Sequence, residues 1–514
     1  MSEIILSIIF GSIIRYSVNR NIPNTFELSS SAKFRRLYVQ YVFAPLRLCV
    51  RPLLFLCLII CNIASSQNNS RKQIAFPGAE GFGKYATGGR GGKVAVVNNL
   101  NDKGEGSFRN ALEQFPNEPL TIIFNVSGII ELQSNINIKR SNLTIAGQTA
   151  PGDGICLKNY SFILNGASAK GNHGNIIIRF IRSRPGGTDK KGLYGFDMEN
   201  CHDVIIDHCS FSWANEECAA MYDMKNTTVQ WCIVSEGLYD AGHAKGRRSY
   251  GGVWGGQYAT YHHNLIANQN SRAVRFNGAR AHDTIAVIDY RNNVIYNWGN
   301  EHAAYGGEVN IAGGVSQINI INNYYKPGPA TPSELKFAFA YYQEAASKGI
   351  GEWYLDGNIM EGDKTLTNKN FKGLDLSQAG NNEKSEASKA FPVSAPLPEQ
   401  NATDAYNEVL KYSGVILPKR DATDERVINE TKNKIASGMG VFGKAGIIDS
   451  PAAVGGWAVY KNGTSLSDTD ADGMPDEWEK KNGLNPSDAN DRNKIDAAGY
   501  TMLEKYLNEL TVVE

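Results

Sequence analysis

Residues 318–323 read Ile318-Asn319-Ile320-Ile321-Asn322-Asn323, an alternating apolar run that closes on a pair of asparagines. The same phrase, a β-rich run ending on Cys or Asn, recurs at Ile206-Asp207-His208-Cys209, Gln230-Trp231-Cys232, His262-His263-Asn264, Arg291-Asn292-Asn293 and Asp356-Gly357-Asn358. The steps between these corners are roughly 23 to 35 residues, a solenoid period. Asn175-Ile176-Ile177-Ile178-Arg179-Phe180-Ile181 and Val204-Ile205-Ile206 are further strand-like runs, and helical periodicity is absent from them. Each unit is too short to fold alone. Strands stacked in register bury one inward face and set identical residue types above one another, so the repeated Asn or Cys becomes an internal ladder. The competing arrangement is a β-sandwich or propeller with shared turn chemistry, but propeller blades are longer and more regular.

Composition agrees with many tight turns. The 514 residues hold 52 glycines against 18 prolines, with Asn in short clusters. Lys plus Arg and Asp plus Glu each number 52, but residues 1–66 take seven of the bases and two of the acids, leaving the rest mildly acidic. No basic stripe argues for nucleic acid. An acidic polymer would need a local cationic cluster or a bridging cation.

Residues 1–66 read as a targeting region. Arg47 and Arg51 precede Leu53-Leu54-Phe55-Leu56-Cys57-Leu58-Ile59-Ile60, and Ala64-Ser65-Ser66 follow. This basic, apolar, small-residue order is that of a secretory signal, and the run is short for a membrane span. A membrane anchor is the alternative, since Ile4 to Ile14 is also apolar. The expectation is a secreted protein without stable membrane association. Beyond this region stand Cys156, Cys201, Cys209, Cys218 and Cys232, an odd number, read as small buried residues with one bridge at most.

From about Met360 to Ala405 the composition turns polar and small, an expected surface excursion. A short helix is expected from Asp421 to Ile435. The β-helix domain is taken as 75–455, followed past Gly455-Gly456 by a separate module, 460–514. Its Asp468-Thr-Asp-Ala-Asp-Gly-Met-Pro-Asp-Glu-Trp-Glu479 sets carboxylates at loop positions one, three, five, nine and twelve, with Gly473 at six. This is the spacing of an EF-hand-like calcium loop, and the run also resembles the calcium loops of thrombospondin type 3 repeats. Asp468, Asp470, Asp472 and Glu479 are the expected direct Ca2+ ligands, Met474 through its carbonyl and Asp476 directly or through water. A helix should follow through Trp478 and another near Tyr500–Leu507. Asn493, Ile495 and Ala497 spoil a second full loop, and the ion is expected to be structural.

Several segments together resemble the secreted pectate lyase family over about residues 75–360. They are Ala75-Phe76-Pro77-Gly78-Ala79-Glu80-Gly81-Phe82-Gly83, Gly88-Gly89-Arg90-Gly91-Gly92, Asn99-Leu100-Asn101-Asp102 with Gly106-Ser107-Phe108-Arg109, and Ile145-Ala146-Gly147-Gln148-Thr149-Ala150-Pro151-Gly152. Ile206-Asp207-His208-Cys209-Ser210-Phe211-Ser212-Trp213 and Asn270-Ser271-Arg272-Ala273-Val274-Arg275 complete the series in the family's order. The resemblance implies an all-β, right-handed parallel β-helix that cleaves α-1,4-linked galacturonan, an acidic polysaccharide, by β-elimination, usually with calcium. It assigns Arg272 to the proton at C5 of the uronate and Lys245 to substrate binding. Arg275 joins them as positive charge, because the C5 proton is weakly acidic until the neighbouring carboxylate is neutralised. A free arginine is protonated, so Arg272 is equally readable as an electrostatic stabiliser. A monomer is expected.

The chain departs from the family at its cleft calcium. Where relatives place an acid before the Ile-Asp-His strand, the turn here reads Asp189-Lys190-Lys191-Gly192-Leu193-Tyr194, and Ala220 stands where another ligand is expected. Glu216, beside Glu217 and Asp223, is the acid assigned to a cleft metal, working with Asp189 or Asp197, unless Lys190 or Lys191 replaces the ion. His208 is expected to be a buried structural histidine bonded across turns, and His262-His263 to be strand residues. Two other functions compete: a glycoside hydrolase with paired carboxylates, and a non-catalytic polysaccharide-binding β-helix.

Overall fold

The alternating runs stack into three parallel sheets, joined by short turns into successive coils. The computed structural model describes residues 72–512, apart from 166–172, 188, 281–282, 336–337, 343–347 and 379–382. The expected targeting region, 1–66, lies outside the described residues. A ten-stranded first sheet runs from Lys93–Val97 to Gly351–Asp356. A nine-stranded second sheet runs from Ile136–Ile138 to Leu374–Asp375, and a nine-stranded third from Gly128–Glu131 to Ile359–Met360. One coil passes through Cys201–Asp207 of the first sheet, Ser210–Ser212 of the third and Glu217–Tyr222 of the second before Lys225–Gln230 begins the next. The architecture is a right-handed parallel β-helix, the hand that parallel crossovers favour.

Register explains the core. Ile178, Ile206, Val229, Tyr261, Tyr290, Ile320 and Leu355 stand in one column across the first sheet, all buried. The corner ladder forms as the repeats imply. The backbone N–H of Cys232 donates to Asn264 Oδ1 at 2.9 Å, Asn264 to Asn293 at 3.0 Å, Asn293 to Asn323 at 2.9 Å and Asn323 to Asn358 at 2.9 Å. Asn370 extends the ladder by one more rung, at 2.8 Å. The residue before each rung takes left-handed backbone, from His208 (φ 51°) to Asn322 (φ 53°).

That geometry turns side chains such as His208 outward, where it stacks between Phe180 and Trp231 and meets its own neighbour Asp207 at 2.8 Å. It is therefore half-buried, and set against the carboxylate of an adjacent residue where a hydrogen bond across turns was expected. The five cysteines are buried and unbridged; Cys209 and Cys232 serve as ladder rungs, Cys209 N–H meeting the Cys232 sulfur at 3.4 Å.

Segments outside the coils cover two of the outer faces. Ala75, Phe76, Ala79 and Ala86 pack on Ile177 and Ile205 of the first sheet. The helices Ala402–Tyr412 and Ala422–Asn433 lay Val409, Val427 and Ile428 on Ile233, Leu265, Val294 and Tyr296 of the third. The second of these fulfils the helix expected over 421–435, with Asp421 as N-cap accepting from the Asp424 N–H. Arg184 is fully buried there, its guanidinium held by Asp421 and Asp424. The polar excursion is more ordered than its composition implies. Within it Leu374–Asp375 adds the last strand of the second sheet, because the neighbouring Ala340–Tyr342 offers its edge.

The tail folds on the same body. Helices Asp476–Lys481 and Met502–Glu509 form, the latter with a Thr501–Glu504 capping box. Met474, Met502, Leu503 and Leu507 bury against Ile123 and Ala146 of the first sheet. The outer face of the second sheet instead presents Asp197, Arg275, Tyr305 and Tyr341 as cross-strand neighbours in one row with Ala220 and Val253.

Candidate active site

The turns from the third sheet into the second carry the remaining predicted residues onto this face: Glu216 after Ser210–Ser212, Lys245 after Ile233–Ser235, and Arg272 after Leu265–Ala267. Arg272 itself takes left-handed backbone, φ 48°. For a residue other than glycine such backbone costs about 1–3 kcal/mol and persists only where the surroundings fix it. Here they do. Arg272 Nε donates to the Tyr305 hydroxyl at 2.7 Å, Nη1 donates to Glu217, and the guanidinium lies 4.2 Å from the Tyr250 ring centroid. Glu217 and Tyr250 are cross-strand partners, so one pair of strands builds both supports. Burial opposes the Arg272 charge, but Tyr305 and Glu217 beside it hold its pKa above the ordinary arginine value.

Arg275, one coil below Tyr305, donates to Glu308, and its guanidinium lies 5.8 Å from the same tyrosine ring. Tyr305 thus stands between two guanidinium groups. Glu216 accepts from Arg248 Nη2 at 2.6 Å and contacts His243. The turn before it presses against this cluster. A Cβ on Gly192, φ 93°, would meet Glu216 Cβ, Glu216 Oε2 and His243 Nε2 at 2.9 Å each, so only glycine fits. Lys190, Lys191 and Lys245 are exposed; the Lys245 backbone N–H donates to His243 Nδ1 at 3.0 Å.

The acids crowd one another. Burial, with Glu199 and Glu217 nearby, pushes the Asp197 carboxyl up to about 7, and burial with Glu217 pushes the Tyr222 phenol up to about 12. Burial and the adjacent Glu216 raise Glu217 against the pull of Arg272. Glu217 Oε2 is buried with no hydrogen-bond partner among the described residues. Glu216, the acid expected to hold a cleft metal, is instead paired with Arg248 and His243, and Glu217 is paired with Arg272. Among the described residues no three acids of this face bring their ligand atoms within 4.8 Å of one another, so this face does not fit the expected cation.

The tail loop is a second centre. The ligand atoms of Asp468, Asp470 and Asp472 lie within 4.8 Å of one another, and so do those of Asp472, Glu479 and Asp491. Burial and the surrounding acids push Asp472 up to about 8 and Glu479 up to about 7. Asp476 joins neither group. Its carboxylate accepts from the Thr469 N–H at 2.7 Å, the Thr469 hydroxyl at 2.8 Å and the Ser467 hydroxyl at 3.1 Å.

The structure therefore brings Arg272 and Arg275 together around Tyr305 and four of the five predicted tail acids around Asp472. Sequence reasoning missed Glu217 as the partner of Arg272, and Tyr250, Tyr305, Glu308, His243, Arg248 and Asp491. For Tyr305 a signal existed: the step of 30 residues from Asn293 to Asn323, added to Arg275, lands on it.

No protein-family model matches the chain. Among solved structures, a pectate lyase from Bacillus sp. N165 in complex with trigalacturonate aligns with a TM-score of 0.44 at 20% identity, over 66% of this chain and 99% of that one. Among curated proteins, the probable pectate lyase C of Aspergillus flavus is 34% identical over 465 residues, covering 89% of this chain and 98% of the relative. The protein of the same name from Aspergillus fumigatus is 33% identical over 460 residues, covering 88% of this chain and 97% of its own. At that identity across nearly the whole of each relative, the chain belongs to the pectate lyase family.

Proposed function

We propose that the protein cleaves (1→4)-α-D-galacturonan by β-elimination on the outer face of its second sheet, leaving an unsaturated uronate at the new end. The observation that carries this is the Arg272 guanidinium, fixed in strained backbone by Glu217, Tyr305 and Tyr250 on a face that the other segments leave to polar groups. Arg275, Arg248 and Lys245 supply positive charge for the uronate carboxylates. Glu216 and Glu217 are already paired with Arg248, His243 and Arg272, so the guanidinium groups of this face, and not a cation held by those acids, are read as the neutralising charge.

The Arg272–Glu217 pair favours a guanidinium that acts through its charge. Glu217 and Tyr305 keep Arg272 protonated, so it stabilises the negative charge that develops on the uronate as the C5 proton passes to solvent. The C5–H electrons form the C4–C5 double bond, the C4–O bond breaks, and the leaving oxygen takes a proton from water. Residues 1–66 are read as the secretory signal, the tail loop as a calcium site, and the enzyme as a monomer; no described helix is long and apolar enough to cross a membrane.

Incubation with polygalacturonate tests the reading. Ultraviolet absorbance from the unsaturated product should grow, and Arg272→Ala should slow that growth by roughly 10²–10³, leaving a residual rate that can be measured. Glu217→Gln, which removes the charged acceptor that holds the guanidinium, should lower the rate by about tenfold or more. New reducing ends without absorbance would mean hydrolysis, and binding without either would mean a carbohydrate-binding solenoid.

A further inference from the structure

The tail holds a group of carboxylates larger than an isolated calcium loop requires. Glu479 is fully buried, and both of its carboxylate oxygens lack a hydrogen-bond partner among the described residues. The same holds for both oxygens of Asp470, for Asp472 Oδ2 and for Asp491 Oδ1. Six buried, anionic, unpartnered oxygens cannot persist in an apolar setting without compensation. Asp491 lies outside the loop, in the turn Asp491–Asn493, yet it shares a ligand-sized space with Asp472 and Glu479. Its other oxygen is already fixed, accepting from the Asn485 N–H at 2.8 Å, so Oδ1 is aimed by the local backbone.

What surrounds this cluster is the start of the β-helix. Met474, fully buried, packs with Leu503 against Ile123, and Gly473 sits where a Cβ would come within 3.4 Å of Val94 and 3.5 Å of Ile123. Arg492, next to Asp491, donates to the Gly92 carbonyl at 3.1 Å, at the entry to the strand Lys93–Val97. Arg90 meets Glu504 at 2.7 Å. Both halves of the acidic cluster are therefore seated on the start of the first sheet: the loop by the packing of Gly473 and Met474, and Asp491 through the hydrogen bonds of Arg492 to Gly92.

We propose that Asp491 completes the tail's calcium site with Asp468, Asp470, Asp472 and Glu479, and that the bound ion latches the tail onto the first coil of the solenoid. This rests on reading the loop as a calcium site and not on the lyase reading. Without the ion, repulsion among five carboxylates drives the Asp491 turn away from the loop. Gly473–Met474 and Arg492 then cannot both keep their places on the first sheet. With it, a hard divalent cation bridges the two segments through oxygen ligands. Asp476 is excluded, since it is spent on Thr469 and Ser467.

The test uses the full chain and reads binding and protection, so failure of lyase activity leaves it untouched. Tb3+ luminescence sensitised through Trp478, the neighbour of Glu479, reports occupancy, with Ca2+ competition giving affinity. Asp491→Asn should weaken binding by about tenfold or more, as loss of a charged ligand does, while Asp476→Asn should leave it within about twofold. Hydrogen exchange on the unaltered protein is the independent arm. Ca2+ should add protection to Lys93–Val97 and Leu120–Phe124, and chelation should remove it. Asp491→Asn binding like the parent would overturn the ligand assignment, and equal protection with and without Ca2+ would overturn the latch.

Discussion

Removing one oxygen atom, in Tyr305→Phe, isolates the hydrogen bond that sets the direction of the Arg272 guanidinium. The hydroxyl accepts from Nε at 2.7 Å, whereas Glu217 and the Tyr250 ring hold the same group from other sides. A hydrogen bond to a charged partner is worth about 1.5–3 kcal/mol, and each 1.36 kcal/mol is about tenfold in rate. Complete dependence of the transition state on this bond would therefore cost roughly 10- to 150-fold. Two supports remain, so the expected loss in kcat lies near the lower end, at about tenfold. KM should stay within about twofold, because the charge that attracts the polymer is unchanged. The assay is initial-rate ultraviolet absorbance on polygalacturonate for the four proteins of a double-mutant cycle with Arg272→Ala. Once Arg272→Ala has removed the guanidinium, adding Tyr305→Phe should change nothing further. Full kcat in the single Tyr305→Phe variant, or an equal further loss when it is combined with Arg272→Ala, would refute the assignment of Tyr305 as a positioning residue.

Gly192→Ala should lower activity and stability together. It forces a side chain into backbone at φ 93° and into contact with Glu216 and His243, a strain of about 1–3 kcal/mol readable as a fall in the urea midpoint beside the rate. Asn293→Ala removes the acceptor of the Asn264 backbone N–H and of its Nδ2; two orphaned buried donors cost about 2–6 kcal/mol in equilibrium unfolding. Asp283, fully buried, has its carboxyl pushed up to about 8 by burial and then by Asp223. Its folded pKa lies above the unfolded value of about 3.9, so the folded state holds the proton more tightly. That contribution is complete at low pH and is lost as pH rises towards about 8. Asp283→Asn should therefore flatten the decline in melting temperature between about pH 5 and 8, and an unchanged pH slope would contradict the raised pKa.

The fold was legible because its signal is periodic. A ladder from Cys209 to Asn358 announces itself at one residue per coil, and the same spacing gives the register of every sheet. Arg272 and Arg275 were legible through a contiguous motif. Their partners were not, since Glu217 lies 55 residues from Arg272 and Glu308 lies 33 from Arg275. Such pairs meet only across coils whose turn lengths differ, and the 14-residue turn holding His243, Lys245 and Arg248 breaks any fixed count. In the tail, Asp468 to Glu479 obey a loop spacing that can be counted. Asp491 belongs to the same centre without belonging to the loop, so no spacing rule reaches it. Asp476 shows the converse, a carboxylate at a correct position whose oxygens were claimed by Thr469 and Ser467.

The seating of the tail on the first strands also sets an order of events. Arg90 and Glu504 are separated by 414 residues of chain, so the outer face of the opening coil waits for almost the whole polypeptide before it is covered. Contacts of such separation are slow to form. Until they do, Val94, Val96, Ile123 and Ala146 stand in water. In a chain made from its N-terminus, the earliest strands to emerge are the last to be shielded. The final forty or so residues then act as a terminal closure, whose arrival ends the interval in which another chain could add to that face.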